Sequence, residues 1–529
     1  MLSRRSLLAA SAATPLMYHI NAFAETPKDV VVVGMAIDDI VSLDPAEAFE
    51  FTGGEVNGNV YQRLVIPDPA DPSKIKGELA EKWEVAPDGL SYTFFLKKGL
   101  VFASGKPITA ADAAFSLQRA VKLNKSPAFI INQFGFTKDN VDGKIVATDE
   151  HTLVLTIAEK QSPSFLFYCL SANVGSVVEK SIAMANAKGD DLGNEWLKTN
   201  SAGSGAYVLR SWKASESVIM DANPKAVVEA KTKRIIFKHI PDPSAQVLQL
   251  EKGDIDIARG LQPEQLKAAE KNPKLKTSTA PRSYITYVAM NQKMDILTKP
   301  AVRQAIKWAI DYDGIQQNIV STTFTVQQGF IPEGFLGAIK DRPFKKDVAK
   351  AKALLAEAGY PNGFEVTLDH AATAPTPDIA QAIQANLAEI GIKVTLISGE
   401  GRQVITKTRA RTHQMAMVAW GSDYFDPNSN AETFCINTDN SDTARNKTLA
   451  WRSSWQDADL TKRAQAALKE TDTKARQAMY EAMQRDYQQR SPFAMLLQGI
   501  DKAVMRAEVK DFALPPLGAR TVYEKATKA

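Results

Sequence analysis

A chain of 529 residues is too long for one hydrophobic core, because cores divide beyond ~250–300 residues, so two or more lobes are expected. Hydrophobic residues at 44% and charged residues at 23% exclude a disordered or collagen-like chain. The net charge of +4 is not concentrated into the basic face that a nucleic-acid partner needs.

The chain starts "MLSRRSLLAASAATPLMYHINAFA", with Arg4 and Arg5, then a modest apolar run, then Ala22-Phe23-Ala24. A charged start, an apolar centre and a small-x-small end predict a secretory signal peptide cleaved after Ala24. Ser3 to Leu8 suits a twin-arginine signal and the general secretory route alike. No later stretch approaches the ~18 consecutive apolar residues of a membrane span. A soluble, exported mature protein is therefore expected.

Short aromatic and β-branched runs bounded by turn residues predict strands over 92–96, 152–157 and 234–240, and the Pro/Asp-rich 66–74 reads as a solvated loop. In "VRQAIKWAID", Val302, Ala305, Ile306, Ala309 and Ile310 form one helix face. "DVAKAKALLAEAGYPNG" repeats that spacing, with Gly359 as C-terminal cap and Pro361 as the stop. A strand at 364–368, a helix from about Pro377 to Ile390 ended by Gly391, and a strand at 392–397 predict a βαβ unit with parallel strands. A further strand, 414–420, runs into "AWGSDYFDPNSN" (419–430). That stretch therefore sits at a strand's carboxyl end, where open α/β sheets bind ligands.

The chemistry-bearing residues form no catalytic set. His19, His151, His239, His370 and His413 have no metal-ligand spacing and are expected to be surface or satisfied core histidines. No Gly-x-Ser-x-Gly elbow occurs, and "SAGSGAY" (201–207) lacks the Lys-Ser/Thr end of a phosphate loop. Cys169 and Cys435, both in apolar-aromatic settings, are either two buried thiols or a disulfide. Asp423 and Asp426 are open to two readings: an acid pair as in glycosidases, or, since Asp426 precedes Pro427, a turn. No catalytic residue, metal ligand or cofactor site is assigned.

Several segments in order resemble the extracellular solute-binding proteins of ABC importers related to dipeptide- and oligopeptide-binding proteins (family 5). They are "SLDPAEAF" (42–49), "NVYQRLV" (59–65), "LAEKWEVAPDGLSYTFFLKKGLVFASGKPITAADAAFSLQRA" (79–120), "GSGAYVLRSW" (203–212), "LEKGDIDIA" (250–258), "AVRQAIKWAID" (301–311), "AKALLAEAGYPNGFEV" (351–366) and "WGSDYFDP" (420–427). The resemblance implies an α/β, two-lobed periplasmic binding protein fold (type II-like) with an extra subdomain on lobe I. Lobe I would be 25–280 with 491–529, its subdomain about 59–185, and lobe II 281–490, with hinge crossings near 283–291 and 491–496. It implies a periplasmic monomer that is no enzyme, uses no cofactor, binds no nucleic acid, and delivers its solute to ABC permease subunits in the inner membrane.

In peptide-binding members the Asp of Trp-x-x-Asp meets the ligand's ammonium group, which carries over to Asp423. Trp420 and Gly421 would offer backbone groups to an extended ligand, and Trp420 and Tyr424 would wall the pocket or pack in the core. Dipeptide-selective relatives place an Arg after the "GFEV" strand, where this chain reads Thr376-Pro377-Asp378. In the divergent stretch 436–460, Trp451 and Arg452 appear; Arg452 is either the replacement cation or a surface residue. Phe51 and Phe129 fall where lobe I approaches ligands. The expected solute is a peptide or another amine-bearing compound such as an opine. A nickel chelate, haem or a sugar-derived solute, and an exported hydrolase using Asp423 and Asp426, are the alternatives.

Overall fold

Two long antiparallel strands, Leu275–Met290 and Phe493–Arg506, organise the molecule, and each serves two lobes. The computed structural model describes residues 26–517 and 519–529, so the signal-peptide reading and His19 lie outside the described residues. Leu275–Pro281 pairs with Ile500–Arg506, and Ile257–Arg259 joins that end at Ala503–Met505. After a register shift between Pro281 and Ile285, Ile285–Ala289 pairs with Phe493–Gln498, and Met415–Gly421 lies antiparallel along Tyr284–Met290. Pro281, Arg282 and Tyr284, in or next to the interruption, are exposed, whereas Ile285 to Met290 are buried. Hydrogen-bond pairing thus continues through an 11-stranded sheet while the side chains on its two halves enter separate cores.

In lobe I, Val30–Met35 runs parallel to both Arg234–His239 and Ile257–Arg259. The run Val30-Val31-Val32-Val33 has no polar alternation because a parallel strand covered on both faces needs none. In lobe II, Glu365–Ala371, the helix Thr376–Ala388 and the parallel strand Lys393–Gly399 make the expected βαβ unit, in register Glu365 to Lys393. Gly359 and Gly391 have φ of +91° and +86°, the left-handed geometry in which a helix C-terminal glycine costs little.

A separate core belongs to the subdomain. Its four-stranded sheet has the order Ala80–Val85, Ser91–Leu96, Thr152–Thr156, Ile145–Ala147. The helix Ala110–Leu123 packs on it, started by a capping box between Thr109 and Asp112. Arg119 of that helix is buried and holds Asp44 through both terminal nitrogens, joining the subdomain to the lobe I chain.

One local expectation fails. Residues 66–74 are no loop: Val65–Asp68 and Asp71–Gly77 form a hairpin. A two-stranded sheet has only edges, so Pro67 and Pro72 remove no central ladder bond there. The "SAGSGAY" glycines serve packing: a Cβ on Gly205 would lie 2.4 Å from the Asn59 carbonyl oxygen, whereas Gly205 N–H now donates to Val60 O at 2.9 Å.

Cys169 and Cys435 are unpaired and buried in two different cores. Burial pushes both thiols well above the usual range, so the reactive thiolate is scarce. The folded protein is expected to resist an aromatic disulfide reagent and to release two equivalents on denaturation; rapid labelling of native protein would contradict this burial.

Candidate functional site

The strand Met415–Gly421 ends with Trp420 paired to Ile285 and Gly421 paired to Tyr284. One residue on, Ser422 N–H donates to Ser283 O at 3.2 Å. The chain then turns back on itself. Ser429 Oγ accepts from Asp423 N–H at 2.9 Å, and Ser422 Oγ donates to Asn430 Oδ1 at 2.6 Å. These bonds set the direction in which the Asp423 side chain leaves the strand.

The two acids have unlike fates. Asp426 is fully buried and accepts from both Arg476 terminal nitrogens, at 2.8 and 2.7 Å, and from Asn428 N–H at 2.9 Å. Its carboxylate receives the first N–H of the helix Asn428–Cys435 while neutralising a buried guanidinium, so its oxygens are already committed. Asp423, only partly buried, has no hydrogen bond or cation on its carboxylate among the described residues. Burial, and next the Glu432 carboxylate, raise it to about 7. Glu432 is itself raised by burial, although Asn446 bonds to it. Neither acid has a basic partner among the described residues, so the pair carries an unmatched preference for positive charge.

Asp423 opens into a cleft of about 890 Å³. Lobe I contributes Phe51, Glu55 and Arg259; the crossing contributes Arg282 and Tyr284; lobe II contributes Trp420 and Gly421 beside Asp423. Phe51 is 64% exposed, and its Cζ lies 3.5 Å from the position a Gly421 Cβ would take. The Arg282 guanidinium carbon stands 5.4 Å from the Phe51 ring centre, with no acid partner among the described residues. Arg259 is committed to Glu55 and Asp501, at 3.2 and 2.8 Å.

The structure separates the remaining candidates. Tyr424 does not line the cleft: it is buried in the subdomain core, 5.6 Å from the Phe165 ring. Its neighbour Phe425 meets Tyr168 at 5.3 Å and Phe335 at 4.5 Å. The two aromatics therefore hold the subdomain against lobe II. Trp451 is buried too, donating from Nε1 to Ser441 O at 2.8 Å beneath Arg411, 4.5 Å from its ring centre. Phe129, at 42% exposure, stands edge-on to Phe49 at 6.0 Å rather than in the cleft. Arg452 lines a smaller lobe II cavity, and Trp420 borders both cavities. Sequence reasoning missed Glu432, Arg282 and Arg476. For Arg476, an acid and a base fifty residues apart carry no local signal of pairing.

No group of three or more His, Cys, Asp or Glu residues suited to a metal ion occurs among the described residues. No helix among them is long and apolar enough to cross a membrane.

Comparison with known proteins agrees with this geometry. The chain is 29% identical over 504 residues to the probable D,D-dipeptide-binding periplasmic protein DdpA of Escherichia coli K12, covering 94% of this chain and 93% of that one. It is 26% identical to di/tripeptide-binding protein 2 of Pseudomonas aeruginosa, covering 87% and 88%. Its fold matches the periplasmic binding protein DppA of Helicobacter pylori, solved with the peptide STSA, at a TM-score of 0.76 and 24% identity over 94% and 98% of the chains. This is the two-lobed periplasmic binding protein architecture. Residues 74–442 match the model of the bacterial extracellular solute-binding proteins, family 5, and the chain belongs to that family.

Proposed function

We propose that the protein captures a peptide, or another small solute bearing an amine, by closing its lobes over the cleft, and delivers it to the ABC permease subunits of an inner-membrane importer. Members of this family bind solutes for import and are not enzymes. The observation that carries the reading is Asp423: a carboxyl at a strand's end, in an interlobe cleft, with no basic partner among the described residues and a second acid nearby. A closed cleft sheds water, and an ammonium group taken there needs a formal negative partner. The relatives named for D,D-dipeptide and di/tripeptide binding support the peptide class. An opine carries the same amine and suits the same anchor.

In this reading Trp420 and Gly421 present backbone to an extended ligand, as in strand addition, and Phe51 closes from the other side. Phe129 supports Phe49 from behind. Lobe I comprises 25–280 with 491–529, its subdomain about 59–185, and lobe II 281–490. The hinge lies where the paired long strands lose register, between Pro281 and Ile285. The protein acts as a periplasmic monomer after cleavage behind Ala24.

Calorimetry with a broad panel of di-, tri- and tetrapeptides and opines tests the ligand class. The expected result is saturable binding with a negative heat-capacity change and a rise in melting temperature that follows ligand concentration. A panel without any shift would overturn the class.

A further inference from the structure

Beside the cleft, beyond Trp420, lobe II holds a cavity of about 250 Å³. Its walls are largely apolar, with Tyr287, Leu449 and Phe493 among them. Four nitrogens on its lining side chains have no hydrogen-bond partner among the described residues: Arg452 Nε, Trp420 Nε1 and both ring nitrogens of His413. His413 is only 3% exposed, against the expectation of a surface or satisfied histidine. Arg409 also lines the cavity and makes no ion pair among the described residues. Other cations nearby are committed. Lys407 bonds Asp369 at 2.7 Å, and Arg411 bonds Asn440 and Asp442. Among the described residues no carboxylate lines the cavity.

The Arg452 guanidinium and two further N–H donors around an apolar pocket, with the exposed Arg409 at its edge, leave a specific deficit, which is an acceptor with negative charge. Buried donors are rarely left unmatched. A carboxylate has about four acceptor positions and a planar edge that a guanidinium fork fits. An ammonium group or a metal cation would meet like charge instead.

We propose that this cavity receives the acidic group of the captured solute while the solute's amine sits on Asp423. The solute is then zwitterionic, with its charged ends on either side of Trp420. The proposal rests on the amine-capture reading and specifies its other end. The same assignment gives a location for the cation missing at Thr376-Pro377-Asp378. His413 fits the role in the empty protein: burial, then Lys407, lower it to about 4, so its ring is neutral and offers one donor.

The test uses the mature protein and two probes, the dipeptide Ala-Gln and its C-terminal amide. Wild type is expected to bind Ala-Gln about tenfold or more tightly than the amide, as one charge-assisted contact allows. Arg452→Met should erase that preference, Arg452→Lys should keep part of it, and Asp423→Asn should weaken both probes alike. A preference that survives Arg452→Met, or that only Arg282→Ala removes, overturns the proposal, because the acid then lies elsewhere. If neither probe binds wild type, Ala-Gln is not a ligand, the peptide class rests on the broad panel, and the cavity is judged without it. Sodium acetate should then raise the His413 pKa, followed by NMR of its ring, in wild type and not in Arg452→Met. A His413 unmoved by acetate overturns the proposal.

Discussion

Arg476→Ala is expected to destabilise the protein by about 3–5 kcal/mol, the cost of leaving a buried charge without its partner. Arg476 and Asp426 are 1% and 0% exposed, and the guanidinium also bonds Ala467 O, Ser164 Oγ and Tyr480 Oη. These contacts bring together the helix Thr473–Arg490, the end of the preceding helix, the subdomain and the loop after Asp423. The denaturation midpoint of the ligand-free protein measures the loss. Asp426→Asn combined with Arg476→Met removes both charges and should recover much of it, since replacing a whole buried pair is often near neutral. A midpoint for Arg476→Ala close to wild type would show that the loop does not depend on the pair. The loop also positions Asp423, so the same variant should weaken ligand binding.

The second large effect concerns Asp423 itself. An ammonium ligand needs the carboxylate, and in the empty cleft that carboxyl titrates at about 7. For a peptide, whose α-ammonium titrates near 8, affinity should therefore peak between about pH 7 and 8, fall by about tenfold per pH unit well below 7, as one proton must leave Asp423 on binding, and fall again above about 8 as the ligand loses its charge. Asp423→Asn should flatten the acid slope and weaken the ligand by about tenfold or more, the value of a charge-assisted hydrogen bond. Folding stability responds with the opposite sign. The folded value lies above the usual 3.8, so this group's contribution is full below about pH 4 and is lost as pH rises through about 7. Ligand-free Asp423→Asn should accordingly melt above wild type at pH 8, by about 1–2 kcal/mol of stability, with the gap closing toward acid pH. Calorimetric titration and thermal melts between pH 5 and 9 read both slopes; an affinity independent of pH would remove Asp423 from the ligand.

Much of lobe II was legible because periodicity there is strong. The apolar face of 301–310 and the strand-helix-strand run from 364 to 397 became Pro300–Ala309 and the parallel βαβ unit. The hairpin at 65–77 was hidden because prolines in an edge strand look like loop residues. Asp423's place at a strand's carboxyl end could be read from spacing alone. Which neighbouring aromatic faces the cleft could not: the turn between Gly421 and Asn428 sends Tyr424 into the subdomain core, and no residue type signals that. Likewise His413 reads in sequence as one more isolated histidine. Its meaning comes from Arg452 and Trp420, which only the folded lobe brings to the same cavity.

The most direct measurement of the central claim is native mass spectrometry of the protein purified from cells without added ligand, beside Asp423→Ala prepared identically. Wild type is expected to carry a small molecule with a primary or secondary amine, and the variant to have lost it. An amine-free molecule on wild type, or equal occupancy of both proteins, would contradict capture by an ammonium held on Asp423.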